Sequence, residues 1–415
     1  MAFLVTSMRK IFCFCLFISS IFQSSFSQNL NFSSLTVNEG LSQNAVLSVA
    51  QDGNGFMWFG TQDGLNRYDA KSFKIYKHAA SDSTSISFNY ISVLFVDSKK
   101  KLWVGTRNGL DRYSARYDRF QHIALATNTR SDIIISSIYE DNRHQLWVWS
   151  SVGLFMLSEA RQDQYSGRLV PLPDSVAGLG GTNARIITQD ENGNYWLGSS
   201  AGLARMTISN NKPVFKIFRK IPNDDHSLSD SYITSIFQDS KDRLWIGTLH
   251  GGINLYNSST DEFIRYPFNG KAFLPVNNNI RVITENSDGK MLIGTLGGLC
   301  ILDPETKSWS LCKHSPDDTH SLSNNSIYSI YPTKDNIIWI GTYWGGVNYS
   351  SPYNSAFHIY RTNKVSDVNN NIISVVKEDA AHNLWIGTEG GGLNYLNIRT
   401  GTVTAYVNKP NDPGS

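Results

Sequence analysis

The sequence has little charge and few residues of the types that usually carry catalysis. Charged residues make up 17% of the 415 positions, against roughly 25% in an ordinary globular domain. The formal net charge is +2 with no basic block, which gives no indication of a nucleic-acid surface. There are 9 histidines, and no HExxH helix, paired-cysteine zinc site, phosphate loop or Gly-x-Ser-x-Gly elbow occurs. The sequence therefore predicts no metal, no cofactor and no catalytic residue.

Long hydrophobic runs are also missing, except at the amino terminus. There "MRK" precedes the apolar segment "IFCFCLFISSIF", and the small residues Ser25 and Ser27 follow at the −3 and −1 positions of a cleavage site. This pattern predicts a secretory signal over residues 1–27, cleaved after Ser27. The apolar segment is shorter than the roughly 20 residues of a spanning helix. We therefore expect a periplasmic chain without a membrane span.

One phrase, by contrast, is abundant. "LWIGTLHGGINLY" at 244–256 recurs in eight related copies, spaced 44 to 49 residues apart. The equivalent aromatic or apolar positions are Trp58, Trp103, Trp147, Trp196, Trp245, Leu292, Trp339 and Trp385. A constant period of this length is typical of propellers and solenoids.

The fifth period shows which of these architectures applies. Its runs "YITSIFQD", "LWIGTL", "INLYN" and "FIRYPF" are short and separated by Gly, Asp and Ser, as expected for four antiparallel strands. We predict an all-β propeller of four-stranded blades. The Gly in "LWIG" lets the next sheet approach closely, and the Asp that ends each first strand accepts N–H bonds in a tight turn.

The repeated pattern resembles the two-component regulator propeller repeat, best seen in "DGNGFMWFGTQDGLNRYD". The resemblance implies the sensor half of a bacterial hybrid two-component system, which binds an oligosaccharide outside the cytoplasm. Complete sensors of this kind continue through a second propeller, a membrane helix and a kinase, and act as dimers. No such segments follow here, which favours an amino-terminal portion of a sensor or a truncated paralogue.

The number of blades stays open at the level of sequence. Residues 30–44 align without a gap with residues 357–371, so the chain enters on an outer strand that normally closes a ring. An eight-bladed ring would leave one outer strand spare. The resemblance favours seven blades over residues 28–370, with 371–415 beginning a second propeller or forming an extra blade.

Candidate ligand contacts lie in the loops that vary while the framework repeats. The Gly-Thr-x-x-Gly loops and the connections between blades should share one face of the propeller, where ligands commonly bind. Large or charged residues in the varying positions are Arg107, Trp149, His250, Tyr343, Trp344 and Glu389. Each has a plainer interpretation: packing for Trp149, a turn cap for His250, and solvated charge for Arg107 and Glu389.

Two other classes of function stay open. A glycosidase or lyase could place two carboxylates across a propeller face, and quinone-dependent dehydrogenases have similar repeats, although this chain lacks their adjacent cysteine pair. A non-catalytic adhesion or scaffold propeller would share the same framework.

The mature chain has two cysteines, and both fall in "CILDPETKSWSLC". Cys300 and Cys312 are equidistant from Thr306, which makes them candidate cross-strand neighbours and a candidate disulfide in an exported protein.

Overall fold

A computed structural model describes residues 30–126, 132–161, 164–172, 186–209, 212–268, 273–352, 360 and 368–415. The predicted signal peptide, residues 1–27, lies outside these ranges. The described residues form strands and two short 3-10 helices, Val37–Glu39 and Pro275–Asn278, and no α-helix. None of their helices is long and apolar enough to cross a membrane. The chain divides into two compact units, Met1–Ser351 and Pro352–Ser415.

The strands of the first unit follow one another in antiparallel groups of four, each from an inner to an outer strand, and we call these groups blades. Blade 1 contains β2 (Val46–Gln51), β3 (Met57–Thr61), β4 (Gly64–Tyr68) and β5 (Phe73–Tyr76). Blade 2 contains β6 (Ile91–Val96), β7 (Leu102–Thr106), β8 (Gly109–Ser114) and β9 (Arg119–Ala126). Blade 3 contains β10 (Ile135–Glu140), β11 (Leu146–Ser150), β12 (Gly153–Arg161) and β13 (Gln164–Leu169). The outer strands of blades 2 and 3, Arg119–Ala126 and Gln164–Leu169, also pair in parallel, so these two blades share one eight-stranded sheet. Blade 4 contains β14 (Ile186–Gln189), β15 (Tyr195–Ser199), β16 (Gly202–Ser209) and β17 (Lys212–Phe218). Blade 5 contains β18 (Ile233–Gln238), β19 (Leu244–Thr248), β20 (Ile253–Asn257) and β21 (Glu262–Tyr266).

Two further blades complete the first unit. Blade 6 contains β22 (Ile280–Glu285), β23 (Met291–Thr295), β24 (Gly298–Asp303) and β25 (Ser308–Cys312). Blade 7 contains β26 (Ile327–Pro332), β27 (Ile338–Thr342) and β28 (Val347–Ser350), and its outer strand is β1 (Ser33–Leu35) from the start of the described chain. β1 pairs antiparallel with β28, so the two ends of this unit are joined within one sheet. The sequence alignment of residues 30–44 with an outer strand predicts this arrangement.

The second unit holds one four-stranded sheet with the same strand order. Its strands are β29 (Ile373–Glu378), β30 (Leu384–Thr388), β31 (Gly392–Asn397) and β32 (Thr402–Tyr406). Every residue of β29 is exposed, whereas the equivalent strand β2 is mostly buried.

Glycine at the centre of each "LWIG" strand sets the distance between blades. A Cβ added at Gly247 in blade 5 would lie 2.5 Å from Ile280 Cγ2 at the start of blade 6. The same close approach joins Gly294 to Ile327 of blade 7, and Gly341 of blade 7 to Val46 of blade 1. The inner strands contact one another in the same order, and β26 contacts β2. The prediction that this Gly admits the next sheet is confirmed.

The repeated Trp fills the space between blades. Trp58, Trp103, Trp196 and Trp245 are fully buried, and Trp245 of blade 5 packs on Ile280, Ile283 and Met291 of blade 6. Its indole N–H donates to Asp239 Oδ2 at 2.8 Å. The other oxygen of Asp239 accepts the N–H groups of Lys241 and Arg243. The Asp predicted to hold the turn therefore also holds the core Trp, which the sequence analysis did not foresee.

The predicted disulfide is wrong. Cys300 faces Leu311 across β24 and β25, and Cys312 faces Leu299. Neighbouring residues of a strand point to opposite faces, so the two cysteines lie on opposite faces of the sheet. The turn is centred between Glu305 and Thr306 rather than on Thr306, and this half-residue difference separates them. Both thiols are free.

A polar cluster at the outer edge joins blades 1 and 2. Asp118 accepts hydrogen bonds from Tyr76 and Tyr113, each at 2.6 Å, and pairs with Lys74 and Arg67. Asp261 makes the same arrangement between blades 4 and 5 with Tyr256, Arg205 and Lys216. Partial burial alone would raise the pKa of Asp118, but the hydrogen bonds from Lys74, Tyr113 and Tyr76 outweigh it and lower the pKa to about 2.

Because of this cluster, we expect the stability of the folded protein to decrease as the pH falls into the acidic range. A carboxyl whose pKa is lowered by folding stabilises the protein above its unfolded pKa, near 3.8, and loses that contribution as the pH falls toward 2. We expect Asp118→Asn to melt at a lower temperature than the wild type at pH 6, with the difference shrinking between about pH 4 and pH 2. Thermal melts over this range test it. Asp317→Asn, at an exposed position, is the control, and a constant difference at all pH values would contradict the prediction.

Candidate functional site at the near face

The loops after Gly-Thr and the connections between blades lie at one end of the strands, which we call the near face. In blades 2, 5 and 7 the residue after Gly-Thr donates its backbone N–H to a residue just before the inner strand. Arg107 N–H donates to Tyr90 O at 3.2 Å, and Leu249 N–H donates to Tyr232 O at 2.9 Å. Tyr343 N–H donates to Ser326 O at 3.0 Å. In these blades, this hydrogen bond holds the varying residue after Gly-Thr at the same position relative to the inner strand.

A buried Asn holds the loop between blades in the same way. Asn254 Oδ1 accepts the N–H of Ser229 at 2.9 Å, and its Nδ2 donates to Ser229 Oγ at 2.9 Å. Asn66 and Asn348 repeat this with Ser42 and Ser323. The sequence analysis missed these residues, although Asn two positions after Gly in "GLNRY", "GINLY" and "GVNYS" was the available signal.

Tyr343 and Trp344 form an aromatic surface on blade 7. The Tyr343 ring stacks on Tyr328, with centroids 5.2 Å apart and planes at 25°. The Trp344 ring meets Tyr343 edge-on at 4.7 Å and 84°. Trp344 is 66% exposed, so its face is open to solvent while Tyr343 is half-buried. A large exposed Trp held in place by a neighbouring ring is a typical ligand contact.

An arginine extends this surface onto blades 5 and 6. The Arg281 guanidinium lies over the Tyr328 ring, with Cζ 4.8 Å from the centroid. Tyr232 of blade 5 directly precedes β18, and β18 packs against β22, the strand that carries Arg281. Burial raises the pKa of Tyr232, and the positive charge of Arg281 opposes that rise. We call Tyr232, Arg281, Tyr328, Tyr343 and Trp344 the aromatic–arginine cluster.

The sequence analysis missed Tyr232, Arg281 and Tyr328. Arg281 and Tyr328 occupy β-bulges, because the register shifts between Ile280 and Val282 and between Ile327 and Ser329. A bulge leaves its extra residue outside the regular pairing of the strands. Other inner strands carry Ser92 or Thr234 at this position. The large residues Arg and Tyr there were the signal that could have revealed the site.

A groove opens on the near face between blades 5 and 6. The cavity measures about 340 Å³ and is lined by Arg265, Tyr266, Phe268, Phe273, Leu274 and Asn278, among others. Phe268 and Phe273 stack at 5.3 Å, and Trp309 packs on Phe268 at 4.5 Å. His250 is exposed and adjoins Gly251, which also lines the cavity. The His250 N–H donates to Asp230 Oδ2 at 3.0 Å.

The predicted contacts are therefore not all brought together. Trp149 is wrong as a ligand contact: it is 2% exposed and packs with Trp147, Ile187 and Leu197 in a core cluster. Arg107 is exposed on blade 2, with Cζ 3.7 Å from the Tyr90 ring centroid.

Glu389 is exposed but belongs to the second unit. His250, Tyr343 and Trp344 lie on blades 5 and 7 of the first unit.

The described residues hold no group of three or more His, Cys, Asp or Glu side chains arranged to bind a metal ion. "DENGN" at 190 is a turn: Asp190 Oδ1 accepts the N–H groups of Asn192 and Asn194, and Oδ2 accepts the Trp196 indole N–H at 2.7 Å.

Comparison with known families gives four matches along the chain. The sequence model described as two component regulator propeller matches residues 40–63, 85–108, 227–250 and 321–344. Each match runs from the near-face connection to the loop after Gly-Thr. These four segments match the two-component regulator propeller repeat. In this chain, Arg107, His250, Tyr343 and Trp344 lie at the ends of the matched segments.

Individual relatives agree with this assignment. The chain is similar to histidine kinase P4 of Formosa agariphila, at 46% identity over 83 residues, which is 19% of this chain and 6% of that protein. It also resembles the extracellular domain of the hybrid two-component system BT3049 from B. thetaiotaomicron, with a TM-score of 0.65 and 24% identity, covering 92% of this chain and 55% of the other. The chain thus spans a small part of the kinase and about half of that extracellular domain.

The same fold also occurs in an enzyme. Virginiamycin B lyase from Staphylococcus aureus has a TM-score of 0.56 and 12% identity, covering 78% of this chain and 99% of the lyase. This likeness shows the propeller fold alone, and the fold is therefore compatible with both sensing and catalysis.

Proposed function

We propose that this chain is the extracytoplasmic, ligand-binding module of a hybrid two-component system, that it binds an oligosaccharide, and that it has no catalysis of its own. The observation that carries the proposal is the exposed, stacked aromatic surface of Tyr343 and Trp344 on repeats of the regulator propeller family. Sugar rings present flat C–H faces that stack on such side chains, while their hydroxyls need polar neighbours. The near face offers both in Trp344, Tyr343, Arg281 and His250.

The site we propose covers the near face of blades 5 to 7. The aromatic–arginine cluster would hold one sugar unit, and the groove beside His250 would accept another, since its wall consists of aromatic rings with Arg265 and Asn278 among them. Apolar walls with a few placed polar groups are usual for such sites. Arg107, on blade 2, would reach only a longer ligand.

Export follows from the same proposal. A signal peptide over residues 1–27 would deliver the chain to the periplasm, where extracellular domains such as that of BT3049 provide a precedent. In a complete receptor, ligand binding would bias the arrangement of paired chains and thereby a kinase. A ligand shifts such an equilibrium only by its differential affinity for the two states.

We also propose that residues 28–370 form a seven-bladed ring and that 371–415 begin a second propeller. The contact of β26 with β2 and the pairing of β1 with β28 support the first part. The exposed strand β29, whose counterparts in the first unit are packed between neighbours, supports the second.

Truncation tests the blade count. We expect a chain ending at residue 370 to melt cooperatively, at a temperature within a few degrees of the full chain, because the ring does not need the last sheet. A matched truncation that begins the mature chain at residue 37 removes β1 and should lower the melting temperature markedly. Loss of cooperative melting on removal of 371–415 would instead favour eight blades.

Calorimetry against a panel of defined oligosaccharides tests the function. We expect saturable binding of at least one member, with no new product after prolonged incubation when the mixture is analysed by chromatography. The lyase likeness makes a carbohydrate lyase or glycosidase the second candidate, and turnover in place of binding would establish it. A chain that binds no member of the panel would favour an adhesion or scaffold role.

A further inference from the structure

Three of the five buried side-chain polar atoms that lack a partner among the described residues lie at the start of neighbouring inner strands of blades 5 and 6. Thr234 Oγ1, Asn279 Oδ1 and Arg281 Nε are all buried and have no hydrogen-bond partner among the described residues. All three residues lie at the start of β18 and β22, the inner strands of blades 5 and 6. Leaving such an atom unsatisfied costs about 1–3 kcal/mol. Their grouping beside the aromatic–arginine cluster indicates a place prepared for a ligand.

Arg281 differs in its charge environment from three arginines of blades 4 and 5. Arg205, Arg243 and Arg265 each form an ion pair with an aspartate. Within the described ranges no carboxylate lies at ion-pair distance from Arg281. Asp230, on the neighbouring loop, accepts the N–H groups of Tyr232 and His250 instead.

The plane of the guanidinium is held by stacking rather than by a salt bridge. Arg281 Cζ lies 4.8 Å from the Tyr328 ring centroid, and Tyr328 stacks in turn on Tyr343. Arg retains its positive charge at any physiological pH and can donate two parallel hydrogen bonds to a carboxylate or sulfate. A fixed, unpaired and partly buried guanidinium beside an exposed Trp is suited to a sugar that carries an acidic group.

We propose that Arg281 binds the acidic group of an anionic sugar, a carboxylate or a sulfate ester, while Tyr343 and Trp344 contact the sugar ring. This inference rests on the proposed function and specifies its ligand class. Thr234 and Asn279 would supply hydrogen bonds to oxygen atoms of the same sugar unit.

The test compares oligosaccharides that differ only in charge. Uronic acid oligosaccharides and their carboxyl-reduced counterparts, and sulfated galactan oligosaccharides and their desulfated counterparts, are titrated into the full chain by calorimetry. We expect one acidic member to bind at least tenfold more tightly than its neutral counterpart. The series that shows the difference identifies carboxylate or sulfate as the group recognised.

Variants assign the effect to Arg281. We expect Arg281→Gln to remove the preference for the acidic member, weakening its binding about 10- to 100-fold, the range of a charge-assisted hydrogen bond. Arg281→Lys should keep part of the preference. Arg116→Gln is the matched control, since Arg116 also lies over a tyrosine, at 5.2 Å from the Tyr117 ring, in the exposed β8–β9 turn. Melting curves establish that each variant is folded.

The outcomes separate this inference from the proposed function. The inference is wrong if neutral and acidic members bind equally, or if Arg281→Gln leaves the preference for the acidic member unchanged. This holds even where Trp344→Ala shows that an oligosaccharide binds at the aromatic–arginine cluster. If no member of either series binds while another oligosaccharide of the panel does, the inference is wrong and the proposed function stands. If no oligosaccharide binds at all, both are wrong.

Discussion

Replacing Trp245 by alanine is expected to lower the free energy of unfolding by roughly 3–5 kcal/mol, the usual cost of truncating a buried Trp. The side chain is 1% exposed and packs between blade 5 and Ile280, Ile283 and Met291 of blade 6. Its loss opens a cavity between two blades and also removes the indole donor to Asp239. Denaturant unfolding followed by fluorescence and circular dichroism measures the change.

The second unit supplies a matched control for this experiment. Trp385 occupies the same position of the same "LWIGT" phrase, but it is only half-buried. We expect Trp385→Ala to leave the unfolding of the first unit unchanged. Equal losses for Trp245 and Trp385 would show that the phrase stabilises each sheet by itself rather than through packing between blades.

Replacing Trp344 by alanine is expected to have the opposite profile. Because Trp344 is 66% exposed and its ring meets Tyr343 edge-on, melting should change little. Ligand binding should weaken by about 2 kcal/mol or more, the scale of an aromatic hot spot, which corresponds to roughly thirty-fold in Kd. Calorimetry with an oligosaccharide found in the panel, together with thermal melts, tests both halves.

Trp309→Ala serves as a control for Trp344→Ala on a neighbouring blade. Trp309 packs on Phe268 under the groove wall, so its removal should disturb packing as well as any binding there. If Trp344→Ala loses stability and leaves affinity intact, the loop aromatics are packing residues and the assigned site is wrong.

The repeated residues could be interpreted from sequence because each has one physical task in every copy. Gly247 must admit Ile280, Trp245 must fill the space beside it, and Asp239 must hold the turn that follows the inner strand. Because the pattern that contains these residues occurs in eight related copies, it predicts strands, turns and blades without any knowledge of the ligand. The second role of Asp239, as acceptor for the Trp indole, needed the structure because sequence spacing does not give side-chain direction.

Two of the three failures have the same cause, which is the register of the strands. Cys300 and Cys312 fall on opposite faces because the β24–β25 turn is centred half a residue from Thr306. Arg281 and Tyr328 lie in bulges that regular alternation does not predict. Trp149 replaces a framework Gly, and the sequence alone did not show that it packs with Trp147, Ile187 and Leu197 in the core.

By itself, then, the sequence determined the all-β propeller, the four strands of each blade and the varying loops for which we propose ligand contacts, because these depend on patterns repeated every 44 to 49 residues. Only the tertiary structure decided which near-face residues meet. Tyr232, Arg281, Tyr328 and Tyr343 come from three blades, and their distances depend on how adjacent inner strands pack and where each bulge falls. The contact between Arg281 and Tyr328 joins residues 47 positions apart, and no local pattern in the chain specifies it.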